Sequence, residues 1–298
     1  ISKVKYLISS DISPIILQDG TIIYSTQYDS TIIAVSEDGS EQWRYRDEST
    51  IVMNTLLPDL DGNIYAINTN KEIFSLNKKG ELLWKVNLSV YFPTSTYPQI
   101  GMSPDGRTLY LTGTKKAILA FDITSKTVKW QYGNASLTVA PLIDSYGKIY
   151  ILGNINGDSL GTISVVRLTS KGEKDWEYVF KESTWEDVFF EGTLDKYGNF
   201  YFAYGKTLYN LNYFGKENWK VGITDPYSAN GLLSCDEEGK IYLPVNQNSY
   251  SPNVQCYNNK GILLYTTEAF RGKITSCIAL SKNNFYVPAF RTSISAFN

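Results

Sequence analysis

Carboxylates stand in adjacent pairs at three points of the chain: Asp47-Glu48, Glu186-Asp187 and Glu237-Glu238. Two carboxyls could cleave a glycosidic bond, one as acid and the other as base or nucleophile, but they must face each other across roughly 5–9.5 Å. Adjacent residues of an extended chain point apart, so no single pair supplies that geometry. The rest of the catalytic inventory is short. His is absent from all 298 residues, which removes the commonest general base, metal ligand and pH switch together. Cys235, Cys256 and Cys277 have no C-x-x-C spacing. Their apolar contexts predict buried free thiols, with one disulfide plus a spare thiol as the alternative. Asp59-Leu60-Asp61-Gly62-Asn63 starts like a Ca²⁺ loop but lacks the downstream Glu, and it reads as a hairpin turn. No phosphate loop, no G-x-S-x-G and no Ser/His or Cys/His set is present. These absences predict no catalytic residue, no metal and no cofactor.

The irregular segments hold aromatics instead. Tyr91, Phe92 and Tyr97 lie in a long segment over 89–97, and Trp185 and Glu186 in another over 181–187. Tyr227, Tyr250, and Phe270 with Arg271 occupy three more. Rings beside carboxylates and amides suit a sugar, which stacks on the ring and bonds the polar groups. They suit a protein hot spot equally, and they could also pack on their own loops. These nine residues are the candidate ligand-binding set.

What must position them is a repeat. Seven times a turn ending in Gly or Asn is followed by Tyr within a few residues: Gly20…Tyr24, Gly62…Tyr65, Gly106…Tyr110, Gly147…Tyr150, Gly198…Tyr201, Gly239…Tyr242 and Asn284…Tyr286. The spacing is roughly 40–45 residues, the period of a propeller or array. A second position recurs four residues after a later Gly: Trp43, Trp84, Trp176, Trp219 and Tyr265, with Trp130 after a longer turn. Five of the six Trp are spent there, which predicts that each covers the neighbouring sheet. Each unit reads as four short strands separated by tight turns. The last unit stops after its third strand, and Ser2-Lys3-Val4-Lys5-Tyr6 matches the missing fourth. The expectation is an all-β, seven-bladed β-propeller of four-stranded antiparallel blades, one domain over 1–298. Strand 2–7 completes the last blade and closes the ring, hiding the sheet edges.

Ala120-Phe121-Asp122-Ile123-Thr124-Ser125-Lys126-Thr127-Val128-Lys129-Trp130 resembles the A-x-D-x-x-T-G-x-x-x-W repeat of PQQ-type propellers, with Ser125 for Thr and Lys126 for Gly. The resemblance covers essentially the whole chain and rests on blade-building residues. One branch of that family, the quinoprotein dehydrogenases, holds its quinone beneath an adjacent Cys-Cys pair, which this chain lacks. The chain looks closer to the non-enzymatic branch, similar to the assembly lipoprotein BamB and to bacterial surface proteins. That implies a scaffold presenting a loop face to a protein or glycan outside the cytoplasm. The alternatives are a His-free enzyme, either a quinoprotein relic or a carboxylate-dependent glycan-cleaving enzyme using for example Glu186 with Arg271 or Arg291, and a sensor domain of a larger membrane receptor.

Charge agrees with a binding module. Lys and Arg number 28 against 30 Asp and Glu, and no basic stripe invites nucleic acid. No apolar run approaches the ~20 residues that cross a membrane. The chain opens on Ile1 without a signal-peptide pattern, so it reads as a mature form or an excised part, a monomer or a piece of a longer protein.

Overall fold

The computed structural model describes residues 14–26, 30–47, 55–94, 96, 98–137, 139–157, 162–179, 192–204, 206–223, 233–246, 252–269, 278–280, 285–289 and 293–297. They form six four-stranded antiparallel sheets and one three-stranded sheet, in chain order. The chain divides into two compact units, residues 1–143 with 155–157, and residues 144–154 with 158–298.

The first sheet runs Ile15–Ile16, Ile22–Thr26, Thr31–Val35, Glu41–Arg46; the second Leu57–Pro58, Ile64–Ile67, Glu72–Leu76, Leu82–Asn87; the third Gln99–Met102, Thr108–Thr112, Ile118–Asp122, Thr127–Tyr132. The fourth has Leu142–Ile143, Ile149–Gly153, Ser164–Leu168, Lys174–Val179; the fifth Gly192–Leu194, Phe200–Tyr204, Thr207–Leu211, Glu217–Gly222; the sixth Ser234–Cys235, Ile241–Asn246, Pro252–Tyr257, Leu263–Thr266. The seventh has Ala279–Leu280, Phe285–Ala289 and Ser293–Phe297. Residues 2–7, read above as its fourth strand, lie outside the described residues.

Middle strands such as Thr31–Val35 and Ser164–Leu168 are buried at every position. Both of their faces are therefore covered, and even Ser164 and Arg167 are buried there. The fourth strands alternate and keep one wet face. Within the first unit one core joins the first and second sheets through Leu17, Ile23, Ile32, Ile64 and Phe74. Another joins the second and third through Tyr65, Ile73, Leu109 and Phe121. In the second unit Tyr201, Leu208, Leu243 and Tyr257 join the fifth to the sixth.

The recurring Trp is the joint between sheets, as its spacing predicts. Trp43 Nε1 donates to the Lys78 carbonyl of the second sheet at 2.9 Å, and Trp219 Nε1 to the Asn259 carbonyl of the sixth at 2.9 Å. Trp176 does the same to Tyr213 of the fifth at 3.1 Å. Each ring lies over the Gly closing that neighbouring turn. A Cβ on Gly80 would stand 2.5 Å from Trp43 Cε3, and one on Gly261 2.7 Å from Trp219 Cε3. Both glycines also hold positive φ, +79° and +78°. The turn and the joint thus each demand Gly. Beside the aromatic, the fourth strand bulges in all six four-stranded sheets, with Gln42 the extra residue between Glu41 and Trp43 and Asn218 the one between Glu217 and Trp219. A bulge deepens the local twist and re-aims the facing side chain.

The first sheet departs from the Tyr pattern. Leu57 pairs with Tyr65 in the second sheet, but Ile15 pairs with Ile23 in the first, so Ile23 and not Tyr24 holds the equivalent place. Tyr24 points to the other side, beside Ile22, Ile33 and Val35.

Candidate functional site

The hairpin turns at one end of the strands are built by a side chain three residues before the turn Gly. Asp195 Oδ1 accepts the Tyr197 and Asn199 amides, both at 2.9 Å. Its Oδ2 accepts Asn199 Nδ2 at 2.7 Å and the Tyr201 hydroxyl at 3.1 Å. Asp59 repeats this set with Asp61, Asn63 and Tyr65. Asp144 and Asp236 bond Tyr150 and Tyr242 in the same way. The recurring Tyr and its Asp are therefore one turn-fixing device, and their polar atoms are spent inside the sheet. Asp59 is a turn residue, as read above. In the first sheet Leu17 and Ile23 replace both members, exchanging the hydrogen bond for an apolar contact within the same core.

Three of these turns in the first unit border a cleft of about 460 Å³, within the range that holds a small ligand or a partner side chain. Ile16, Pro58, Leu60, Met102 and Pro104 give it apolar walls, with Asp19, Asp61 and Lys78 at the polar positions. Ile16 and Leu60 stay mostly exposed. Sequence reading passed over this cleft because its residues looked like turn residues alone. The available signal was Leu60, a large aliphatic side chain at a turn position where the other repeats carry Gln18, Pro104, Ser145, Lys196 or Glu237.

A few turn carboxylates and both described thiols are shifted away from neutral pH. A backbone hydrogen bond from Thr21 holds Asp19 below the usual carboxylate range, and one from Ser125 does so for Asp122. The Ser103 hydroxyl lowers Asp105. Ser36 and Ser40 bring Asp38 to about 2. Burial pushes the Cys235 thiol up to about 12 and raises Cys256 as well, so both stay protonated and weakly nucleophilic. Both are free thiols, Cys256 fully buried and Cys235 partly; Cys277 lies outside the described residues. Among the described residues no cluster of three or more Cys, Asp or Glu could hold a metal.

In the predicted loop set, Ser89–Tyr91 is a single 3-10 turn. Phe92 is only 4% exposed and sits with Ile67, Ile100 and Leu111 in the core between the second and third sheets. Its ring therefore presents no face to a ligand. Tyr91 is partly buried against that core, and its carbonyl accepts the Lys115 amide at 2.7 Å. Beside it Lys71, nearly buried, donates its ammonium to the Thr96 carbonyl, and burial lowers its pKa. Tyr97, Trp185, Glu186, Tyr227, Tyr250, Phe270 and Arg271 lie outside the described residues, as does Arg291. A site that sequence reasoning missed altogether is Arg167, 3% exposed on a third strand. It donates to Asp175 at 2.8 Å and to the Tyr213 carbonyl, and its guanidinium lies 3.9 Å from the Tyr213 ring centre.

The sheets find their likeness among β-propellers. The Dos1 propeller superposes with a TM-score of 0.70 at 10% identity, over 93% of this chain and 75% of that one. A catalytically inactive histidine-to-alanine variant of virginiamycin B lyase from Staphylococcus aureus, with quinupristin, gives 0.69 at 14%, over 98% and 96%. A streptogramin B lyase gives 0.68 at 16%, over 95% and 93%. At these identities the likeness is one of fold. No curated protein matches the chain. The family model described as outer membrane protein assembly factor BamB matches residues 5–90 and 29–188. Together these matches span more than half of the sequence, and the chain belongs to that family of PQQ-like β-propellers.

Proposed function

We propose that this protein is a non-catalytic binding module: one seven-bladed propeller, closed by residues 2–7, that recognises a protein or glycan outside the cytoplasm through irregular loops on one face. The observation that carries this reading is the saturation of the recurring chemistry. The Asp-Tyr pairs and Trp Nε1 groups find partners within or between sheets, so these recurring groups offer nothing to a ligand and the irregular loops are left to bind. The family description, an outer-membrane assembly factor, supports the extracytoplasmic setting. The three-stranded seventh sheet supports closure by the N-terminal strand. Deleting residues 1–8 then lowers Tm by far more than trimming an ordinary terminus, and an unchanged Tm removes the closure.

Two of the similar structures are lyases, and one of them is inactive once a histidine is replaced. This chain has no His to supply that group, which favours binding over lyase chemistry. Glycan arrays and pull-downs, compared between wild type, Trp185→Ala and Tyr91→Ala, test the loop face. A ligand that binds all three equally refutes the assignment of that face.

A further inference from the structure

At the turn ends of the fourth and fifth sheets, opposite the loop face, the repeat changes character. The residue before the turn Gly is Asp19, Asp61, Asp105 or Glu238 in the first, second, third and sixth sheets, but Tyr146 and Tyr197 in the fourth and fifth. In the other hairpin the matching residue is Asp38, Lys79, Lys171 or Lys260, but Phe214 in the fifth sheet. All these turns close alike, the Gly amide donating to the carbonyl three residues back. Turn chemistry therefore does not call for the rings. Tyr146, Tyr197 and Phe214 are 73%, 69% and 73% exposed, an unusual place for three large aromatics.

They form one surface. Tyr146 meets Tyr213 edge-on at 6.3 Å, and Tyr213 meets Phe214 edge-on at 5.6 Å. Tyr213 lies against Gly198, next to Tyr197. Its ring is held from one side by the Arg167 guanidinium, so little freedom is lost on binding. The nearby carboxylates are already engaged. Asp144 and Asp195 are occupied by turn amides and Tyr hydroxyls, and Asp175 by Lys148 and Arg167. Lys196, over the Tyr197 ring at 5.3 Å, and Lys216 have no carboxylate partner among the described residues.

We infer that this aromatic and cationic surface docks an acidic, apolar peptide segment of a partner protein. Exposed rings bury against apolar side chains, and the two ammonium groups meet carboxylates. A glycan fits less well, because its hydroxyls need acceptors and the carboxylates here are already committed. Trp185→Ala is expected to leave peptide binding at this surface unchanged.

The probe is a fluorescent dodecapeptide of alternating Glu and Leu, followed by anisotropy, beside Lys-Leu and Glu-Ser counterparts. The test variant Tyr146→Asp/Tyr197→Asp/Phe214→Asp carries residues that sister turns already use, so its Tm is expected to hold. The Glu-Leu peptide should bind best, and the triple variant should weaken it about tenfold or more. Lys196→Gln/Lys216→Gln should weaken it several-fold and flatten its salt dependence. Should the triple variant unfold early, the Tyr197→Asp and Phe214→Asp singles carry the comparison, each expected to lose several-fold. Equal binding by wild type and these variants overturns the inference. So does equal binding of the Lys-Leu peptide, or binding of oligogalacturonate or phosphatidylglycerol vesicles where the Glu-Leu peptide fails.

Discussion

Replacing Gly80 by Ala should damage the joint between the first two sheets in two separable ways. Gly80 has φ +79°, and a left-handed conformation costs a residue with a Cβ about 1–2 kcal/mol. The new methyl would also stand 2.5 Å from Trp43 Cε3, closer than any real contact, so the indole must move. Overpacking of this kind costs about 1–3 kcal/mol. Displacing the indole also weakens the Trp43 Nε1 bond to Lys78 O, worth about 1 kcal/mol. The sum is about 3–6 kcal/mol. Gly62 is the internal control: its φ is +81°, yet its Cβ would meet nothing nearer than Lys78 Cβ at 3.5 Å. Gly62→Ala should cost only the conformational part, about 1–2 kcal/mol. Urea unfolding followed by circular dichroism reads both, as a shift in midpoint at constant slope. In a Trp43→Leu background the two substitutions should become alike. If Gly80→Ala and Gly62→Ala cost the same in wild type, the ring does not hold the turn and the joint has been misread.

Three further outcomes follow from the turns and buried groups. Tyr201→Phe removes one bond to Asp195 and should cost about 0.5–1.5 kcal/mol, whereas Asp195→Ala strips two turn amides as well and should cost more; thermal unfolding ranks them. Asp175 is held below the ordinary carboxylate value of the unfolded chain, first by the hydrogen bond from the Lys148 ammonium and then by the Arg167 charge. Its contribution is complete above that unfolded value and disappears as pH falls through the lower folded one, so the Asp175→Asn variant should lose less stability than wild type on acidification from pH ~4. With Cys277→Ala in place, Cys235 and Cys256 should react with a thiol reagent at neutral pH only on unfolding; fast labelling of the native protein would contradict their burial.

The period, the turn glycines and the Trp joint were legible because each rests on local chemistry repeated often enough to stand out. The Trp43 contact with the second sheet could be expected from spacing alone. Tyr24 could not be placed. Gly20 to Tyr24 and Gly106 to Tyr110 have the same spacing, but the third sheet's turn is one residue longer, closing from Ser103 to Thr108, while the first closes from Leu17 to Thr21. Only the strand register separates the two cases. Arg167 was illegible for another reason. A lone Arg in a strand reads as solvent-facing, and the partners that allow its burial, Asp175 and the Tyr213 carbonyl, come from another strand and from the next sheet. Phe92 looked like a loop aromatic because nothing in its own segment announces the core formed by Ile67 and Leu111. The cleft beside Leu60 depends on three turns coming together, which no single segment encodes.

The indole latch grips a peptide carbonyl, at Lys78, Tyr213 and Asn259 alike, and is indifferent to the side chain hanging from it. A cation, a phenol and an amide are therefore equally acceptable there. Modules can be copied, and their tips can drift in charge and hydrophobicity, without loosening the assembly. Such an arrangement separates the inheritance of architecture from the invention of new contacts.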